Sequence, residues 1–283
     1  MRTDVTDPNL LAAIDANVRA ALTEDVGAGD VSASLIDPLT TAHARVITRE
    51  AGVWCGRPWV DATLLAVEPA ARIHWHVKDG DRLEPGMACF EIDGLARGLL
   101  TAERTMLNFA QLLSGTATAT RRYADLIAHT STRLLDTRKT IPGLRLAQKY
   151  AVRCGGGVNH RIGLYDAFLL KENHIAAAGS IAAAVGRARA LAPDLKLEVE
   201  VENFAQLDEA IDAGVDIVML DNFDVEATRE AVGRTNRRVA LESSGGLDER
   251  TIVAFAETGV DYISVGNITK QVMPLDLSMR FTG

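Results

Sequence analysis

A strict alternation in the second half of the chain restricts its fold more than any other feature. Six short apolar runs recur: RLLD (133–136), AFLLK (167–171), LKLEVE (195–200), DIVMLD (216–221), RVALES (238–243) and DYISVG (261–266). Helix-like segments lie between them. One carries Ile181, Val185, Ala188 and Leu191 before Pro193, and another runs from Phe204 to Ile211 before Gly214. Strand, helix, strand at this pitch implies parallel βα units with right-handed crossovers. An open doubly wound sheet and a closed barrel both satisfy that grammar, and the strand ends favour the barrel. Arg138 and Lys139 follow the first strand, Lys171 ends the second, Glu200 the third and Asp221 the fourth. Ser243-Ser244-Gly245-Gly246 follows the fifth, and Ser264-Val265-Gly266 closes the sixth. Any one of these is an ordinary loop residue. Charged or glycine-rich chemistry at the C-terminal end of six successive strands is the pattern of an α/β-barrel rim.

The first 115 or so residues follow another rule. Asp7 can cap a helix opened by Pro8, with Leu10, Leu11, Ile14, Val18, Ala21 and Leu22 at helical spacing until Gly27. From about residue 40 to 93 the period is two. Ile73, Trp75 and Val77 alternate with His74, His76 and Lys78, and the turns KDGD (78–81) and EPG (84–86) precede a strand at MACFEI (87–92). A helix follows around residues 101–127. This predicts an α+β domain over 1–115 ahead of a barrel domain over 116–274. His74 and His76 share a strand face at a metal-capable spacing, but with no third ligand nearby they read as an exposed strand face.

Charge limits the function. With 283 residues the chain can bury a core without staples. Its 30 Lys+Arg against 38 Asp+Glu give a net charge of −8, the wrong sign for coating a nucleic acid. Between Arg138 and Lys171, however, seven basic residues (138, 139, 145, 149, 153, 161 and 171) face a single acid, Asp166. Such focusing attracts a small anion while the remaining surface repels polyanions. Arg145, Lys149 and Arg153 fit an outward basic helix face. Arg138, Lys139, His160, Arg161 and Lys171 sit in loops or at a strand end and point to a small, highly charged substrate. The glycine-bearing ends of the last two strands suit a phosphate cradled by backbone N–H groups. Glu200 and Asp221, on neighbouring strands, form an acidic pair opposite the cations, fit to hold hydroxyls or Mg²⁺ or to share an acid–base step.

Cys55, Cys89 and Cys154 are odd in number and form no CxxC pattern. They predict a reduced, intracellular protein without structural zinc, with Cys154 a small structural residue. No signal-like apolar segment opens the sequence, and the longest uncharged stretch, residues 105–120, is too polar and short for a bilayer. A soluble, cytoplasmic protein with no membrane partner is expected.

The segments DTRKTIPGLR (136–145), GGGVNHRIGLYDAFLLKENHI (155–175), EVEVEN (198–203), MLDN (219–222), ESSGG (242–246) and ISVG (263–266) resemble the quinolinate phosphoribosyltransferase family. So do ALTEDVGAGDVSA (21–33) and AERTMLNFAQLLSGTAT (102–118), and the resemblance thus runs in order along nearly the whole chain. It implies a type II phosphoribosyltransferase: an N-terminal α/β sandwich domain, joined by the tail 275–283, and an incomplete six-stranded α/β barrel, assembled as a homodimer. By the same resemblance, Arg104, Arg138, Lys139, His160, Arg161 and Lys171 bind the two carboxylates of quinolinate. Lys139 also reaches the pyrophosphate of phosphoribosyl pyrophosphate (PRPP), and Glu200 and Asp221 engage the ribose hydroxyls and Mg²⁺. Ser244, Gly245, Gly246, Ser264, Val265 and Gly266 take the 5-phosphate. Lys139, Lys171, Glu200 and Asp221 are the residues expected to carry the chemistry, and Arg104 is implied to act in the partner subunit's site. The sequence departs from its relatives at Asn267 and Lys270, where a small residue and a His are commoner.

The implied reaction joins quinolinate to PRPP with decarboxylation, giving nicotinate mononucleotide, pyrophosphate and CO₂ in NAD biosynthesis. The rival readings are a molybdenum-transport-associated paralogue, a nicotinate-using phosphoribosyltransferase, a Schiff-base aldolase using Lys171, and a phosphometabolite-binding protein without activity. The role of His174, beside the proposed site, is left open by the sequence.

Overall fold

Residues 5–282 are described by a computed structural model and separate into two units. The first holds residues up to Arg121 together with Thr140–Gly156 and Ile268–Gly283, and the second holds Arg122–Lys139 and Gly157–Asn267.

In the first unit, α1 (Pro8–Asp25) begins where the sequence predicts. The Asp7 carboxylate accepts from the Asn9 amide at 2.9 Å, and Leu10, Ile14 and Val18 are buried along one stripe. The strands are β1 (Thr41–Thr48), β2 (Gly52–Val53), β3 (Arg72–Trp75), β4 (Arg82–Leu83) and β5 (Ala88–Leu95). An antiparallel sheet runs in the order tail strand (Leu277–Phe281), β1, β5, β3, while β2 pairs with β4. The expected unbroken period of two from 40 to 93 is interrupted by a helix, α2 (Arg57–Val67). Two causes turn the chain there, one local and one distant: Pro58 fixes the first turn, and Asp79 Oδ1 accepts from the amides of Gly56 (3.0 Å) and Arg57 (3.2 Å). A capping residue more than twenty positions away leaves no local signature.

The long helix α3 (Ala96–Leu126) starts five residues before the expected 101. Its Leu99, Met106 and Leu107 pack with Trp54, Phe90 and Ile92. Each such side chain contributes about 1.5–3 kcal/mol on burial. A second cluster joins Ile14, Val18, Trp59 and Leu113 to Ala147, Tyr150 and Ala151 of α4 (Arg145–Cys154). Residues 140–156, inside the expected 116–274 domain, therefore pack with the first unit. Lys149, at 1% exposure, is not on an outward basic face, although Arg153 is exposed. Packing also gathers Cys55 and Cys154, distant in sequence, around Asp79. Burial pushes the Cys55 thiol up, as does the neighbouring Cys154. The Tyr150 hydroxyl donates to Asp79 Oδ2, so both oxygens of that carboxylate serve the local structure.

The second unit realises all six apolar runs as strands: β6 (Arg133–Leu135), β7 (Ala167–Leu170), β8 (Lys196–Val201), β9 (Ile217–Asp221), β10 (Ala240–Ser244) and β11 (Tyr262–Ser264). They form one parallel sheet in the order β6, β11, β10, β9, β8, β7. Between them lie α5 (Glu172–Ala178), α6 (Ile181–Leu191), α7 (Phe204–Asp212), α8 (Val225–Thr235) and α9 (Ile252–Ala256). Ser180, Asn203 and Asp224 cap α6, α7 and α8 with their side chains. Among the described residues the edge strands β6 and β7 do not pair with each other, which leaves the barrel incomplete. The free side of β6 makes only an isolated parallel bridge, Leu135 to Val158, to the segment ahead of β7. Register aligns the strand ends: Ser244 lies beside Asp221, Val201 beside Leu220, and Ser264 beside Leu135. Residues that end successive strands are thereby delivered to one rim.

Candidate active site

The rim of the second unit carries opposed charges. Lys171, at the end of β7, is half-exposed, and its Nζ pairs with Glu200 Oε2 on β8. Asp221, at the end of β9, is raised above the usual carboxyl range first by burial and then by the negative charge of Glu200, with Lys171 pulling the other way. Glu200 and Asp221 thus form an acidic pair with a cation beside it. Across the same rim, Arg161 has its charge opposed by burial and next by the like charge of Arg138. Two half-buried guanidinium groups that feel one another's charge favour an anion between them.

The phosphate end is built from glycine. Gly245 and Gly246 have φ of 109° and 62°, a region that side chains avoid, so SSGG can turn sharply after β10. A Cβ on Gly266 would meet Lys139 Cδ at 3.2 Å, which places the Lys139 side chain along the Ser264–Gly266 turn. The Lys139 amide donates to Thr137 Oγ1 at 3.1 Å, and the Val265 amide to the Leu135 carbonyl at 3.0 Å. Arg138, Lys139, Arg161, Lys171, Glu200, Asp221 and both glycine turns all belong to the second unit. Arg145, Lys149 and Arg153 of the basic segment belong to the first.

Beneath the rim is a polar floor that sequence reasoning missed. Asp136 is fully buried and accepts from Asn159 Nδ2 (2.7 Å) and the His160 amide (2.8 Å). His160 Nε2 lies 3.0 Å from Glu198 Oε2 and 3.5 Å from Glu242 Oε2, while its Nδ1 accepts from the Arg161 amide at 2.7 Å. This hydrogen-bond pattern assigns the hydrogen to Nε2. His160, expected as a carboxylate ligand, instead has both ring nitrogens engaged within the protein. Burial, and then the charge of Glu198, hold the Glu242 carboxyl well above its usual range, with the Ser264 hydroxyl acting in the opposite sense. An imidazole and two carboxylates could hold a metal ion. The protonated Nε2 leaves no nitrogen lone pair for one, and the group reads as a structural support in which His160 and Glu198 pair while the Glu242 oxygens are buried without a hydrogen-bond partner among the described residues. The sequence did carry a signal: in LEVEV, Glu198 and Glu200 alternate onto the same strand face, one turned to the floor and one to the rim.

The other singled-out residues fall elsewhere. Arg104 is an exposed residue of α3 in the first unit. His174 Nδ1 accepts from the Lys171 amide at 3.0 Å, which gives it a local role at the start of α5. His74 and His76 meet edge to face with centroids 4.8 Å apart, and His76 Nε2 lies 3.4 Å from Glu91 Oε2 on the sheet of the first unit. Asn267 and Lys270 are exposed. Among the described residues, no helix is long and apolar enough to cross a membrane.

Family models for the N-terminal and C-terminal domains of quinolinate phosphoribosyl transferase match residues 30–114 and 116–280. The chain is 44% identical over 272 residues to the nicotinate-nucleotide pyrophosphorylase [carboxylating] of Mycobacterium leprae, covering 93% of this chain and 95% of that one. It is 41% identical to the probable enzyme of the same name from Bacillus subtilis, over 92% and 90% of the two chains. The solved nicotinate-nucleotide pyrophosphorylase of Francisella tularensis superposes with a TM-score of 0.94 at 49% identity, covering 96% of this chain and 97% of that structure. An acidic pair, clustered arginines and two glycine turns on one barrel rim, together with matches along both domains, place the chain in one family: it belongs to the quinolinate phosphoribosyl transferases.

Proposed function

We propose that this chain transfers the phosphoribosyl group of PRPP to quinolinate with decarboxylation, giving nicotinate mononucleotide, pyrophosphate and CO₂ as a step of NAD biosynthesis. The observation that carries this reading is the juxtaposition of Arg138 with Arg161 on the rim that also bears Lys171, Glu200 and Asp221. A dicarboxylate answers the arginines and Lys171, and a ribose phosphate answers the acids and glycine turns. His160 is assigned to orienting Arg161 rather than to touching a carboxylate.

The chemistry needs no protein nucleophile. The pyridine nitrogen lone pair forms the bond to ribose C1 as the C1–O bond breaks and its electron pair leaves with pyrophosphate. The ring nitrogen, now quaternary, accepts the electron density left when the adjacent C–CO₂ bond breaks, and a proton replaces CO₂ at that carbon. Lys139, lying along the Ser264–Gly266 turn, is placed to meet phosphate oxygens, and the Ser244–Gly246 and Ser264–Gly266 turns offer amides to the 5-phosphate. Glu200 and Asp221 accept hydrogen bonds from the ribose hydroxyls, and their negative charge favours the cationic centre developing at C1. Their hard oxygen donors also suit Mg²⁺, which would neutralise charge on the departing pyrophosphate.

A homodimer with shared sites is part of the same reading. Its supports are the exposure of Arg104 and the exposed apolar side chains Val31, Leu35 and Leu39 of the first unit. The direct test incubates the protein with quinolinate, PRPP and Mg²⁺. Equal yields of nicotinate mononucleotide, pyrophosphate and CO₂ are expected. Tight PRPP binding without any product would overturn the assignment in favour of a binding protein.

A further inference from the structure

Asn222 follows Asp221 at the end of β9 with φ of 57°, a left-handed conformation that costs energy for any residue with a side chain. Asn236 and Arg237 are the other described non-glycine residues with positive φ, and they simply end α8. Asn222 ends no helix. Its conformation instead directs the side chain between two parts of the rim. The Nδ2 group donates to Asp221 Oδ2 at 2.9 Å. The backbone amide donates to the Ser244 carbonyl at 3.2 Å. On the other side, a Cβ on Gly245 would come within 2.5 Å of Asn222 Oδ1, so only glycine lets the turn close against this side chain. A carboxylate can only accept, which makes the amide nitrogen the end that faces Asp221 and the oxygen the end that faces Gly245.

We propose that Asn222 is a positioning residue that joins the Asp221 carboxylate to the Ser244–Gly246 turn, so that the ribose hydroxyls and the 5-phosphate of PRPP are held in one register. This rests on the PRPP-binding role given to both elements above. A neutral donor is required at this position. Aspartate has the same shape but cannot donate, and it would add a third negative charge beside Asp221 and Glu200. Serine is too short to span from Asp221 to Gly245. By occupying Oδ2, Asn222 leaves Oδ1 of Asp221 for the substrate and fixes the plane of the carboxylate. Sequence reasoning passed over Asn222 because its type is ordinary for a loop, and only the backbone angle and the Gly245 contact set it apart.

The test uses Asn222→Gly, which keeps the positive φ without strain and removes the amide, alongside Asn222→Asp. Support of this kind typically contributes about 10–100-fold to affinity or activity. For Asn222→Gly we expect a melting temperature no lower than wild type, unchanged quinolinate affinity, and PRPP affinity and kcat reduced by about that factor. Asn222→Asp should lose more. In the Asp221→Asn background, Asn222→Gly should add little, because its effect acts through Asp221. Wild-type PRPP affinity and kcat in the stably folded glycine variant would overturn the proposal, as would losses that multiply fully in the double variant. A wild-type chain that binds no PRPP would instead overturn the functional reading on which it stands.

Discussion

The rim and the floor of the second unit use the same residue types for opposite ends. Glu198 and Glu200 are two positions apart on one strand, and Glu242 and Ser244 stand in the same relation on another. At the floor, Glu198, Glu242 and Asp136 are buried. Glu198 Oε2 lies 3.0 Å from His160 Nε2 and Asp136 accepts from the His160 amide, while Glu198 Oε1 and both Glu242 oxygens are buried without a hydrogen-bond partner among the described residues. At the rim, Glu200 and Asp221 are half-buried beside one lysine, and the charge of Glu200 adds to burial in raising the Asp221 carboxyl. Depth decides which becomes scaffold and which becomes site. A carboxylate two residues deeper loses access to solvent and ligand, and can only position its neighbours.

That contrast can be broken from either side, and substrate choice should move most. Nicotinic acid lacks the second carboxylate and would leave half-buried rim cations unmatched, so its kcat/KM should fall on the order of 10⁴-fold below that of quinolinate. Comparable turnover of the two acids would place the chain among nicotinate-using enzymes. Next in size, Arg138→Ala should weaken quinolinate binding by about 2–5 kcal/mol, roughly 30- to 4000-fold in Kd, measured by calorimetry. A third experiment concerns Arg104, which the proposed dimer places in the partner's site. Arg104→Ala and Lys171→Ala should each be nearly inactive alone. Mixing equal amounts should restore about a quarter of wild-type activity, since half the dimers would be mixed and each would hold one intact site. No recovery, with subunit exchange confirmed by mass, would contradict sharing.

The floor should answer to pH rather than to substrate, with the smallest effect. The Glu242 carboxyl lies above its usual 4.5, so the folded chain keeps a proton that the unfolded chain releases. Its stabilising contribution is fully present below about pH 4.5 and is lost as pH rises through the folded value. Glutamine at 242 cannot ionise and still offers N–H groups to Glu198. Glu242→Gln should therefore match wild type near pH 4.5 and exceed it near pH 8, by about 1 kcal/mol or 2–4 °C in Tm. A Tm difference that shrinks as pH rises would show that the floor carboxyl is ionised and satisfied.

The rim was legible in the sequence because a parallel βα grammar sends every strand end to one edge, and that rule needs only the spacing of apolar runs. The six strands and the charged residues that end them follow from it. What escaped depended on contacts between distant residues. Asp79 caps α2 from more than twenty positions away, so Pro58 was the one local signal to separate RPWVDATLLAV from the surrounding strands. Helix α4 looked like part of the barrel because its charges match the neighbouring loops, yet Ala147, Tyr150 and Ala151 bury it with α1 and α2. His160 has the residue type of a ligand, and only the partners on both ring nitrogens mark it as support.

The division of labour on the rim is tested most directly by titrating each substrate separately into two double variants, Arg138→Ala/Lys171→Ala and Glu200→Ala/Asp221→Ala. The losses should cross. Removing the cations should abolish measurable quinolinate binding and leave PRPP binding within a few-fold of wild type, whereas removing the acids should weaken PRPP in the presence of Mg²⁺ and spare quinolinate. Equal loss of both ligands in both variants would contradict the assignment of cations to the dicarboxylate and acids to the ribose phosphate.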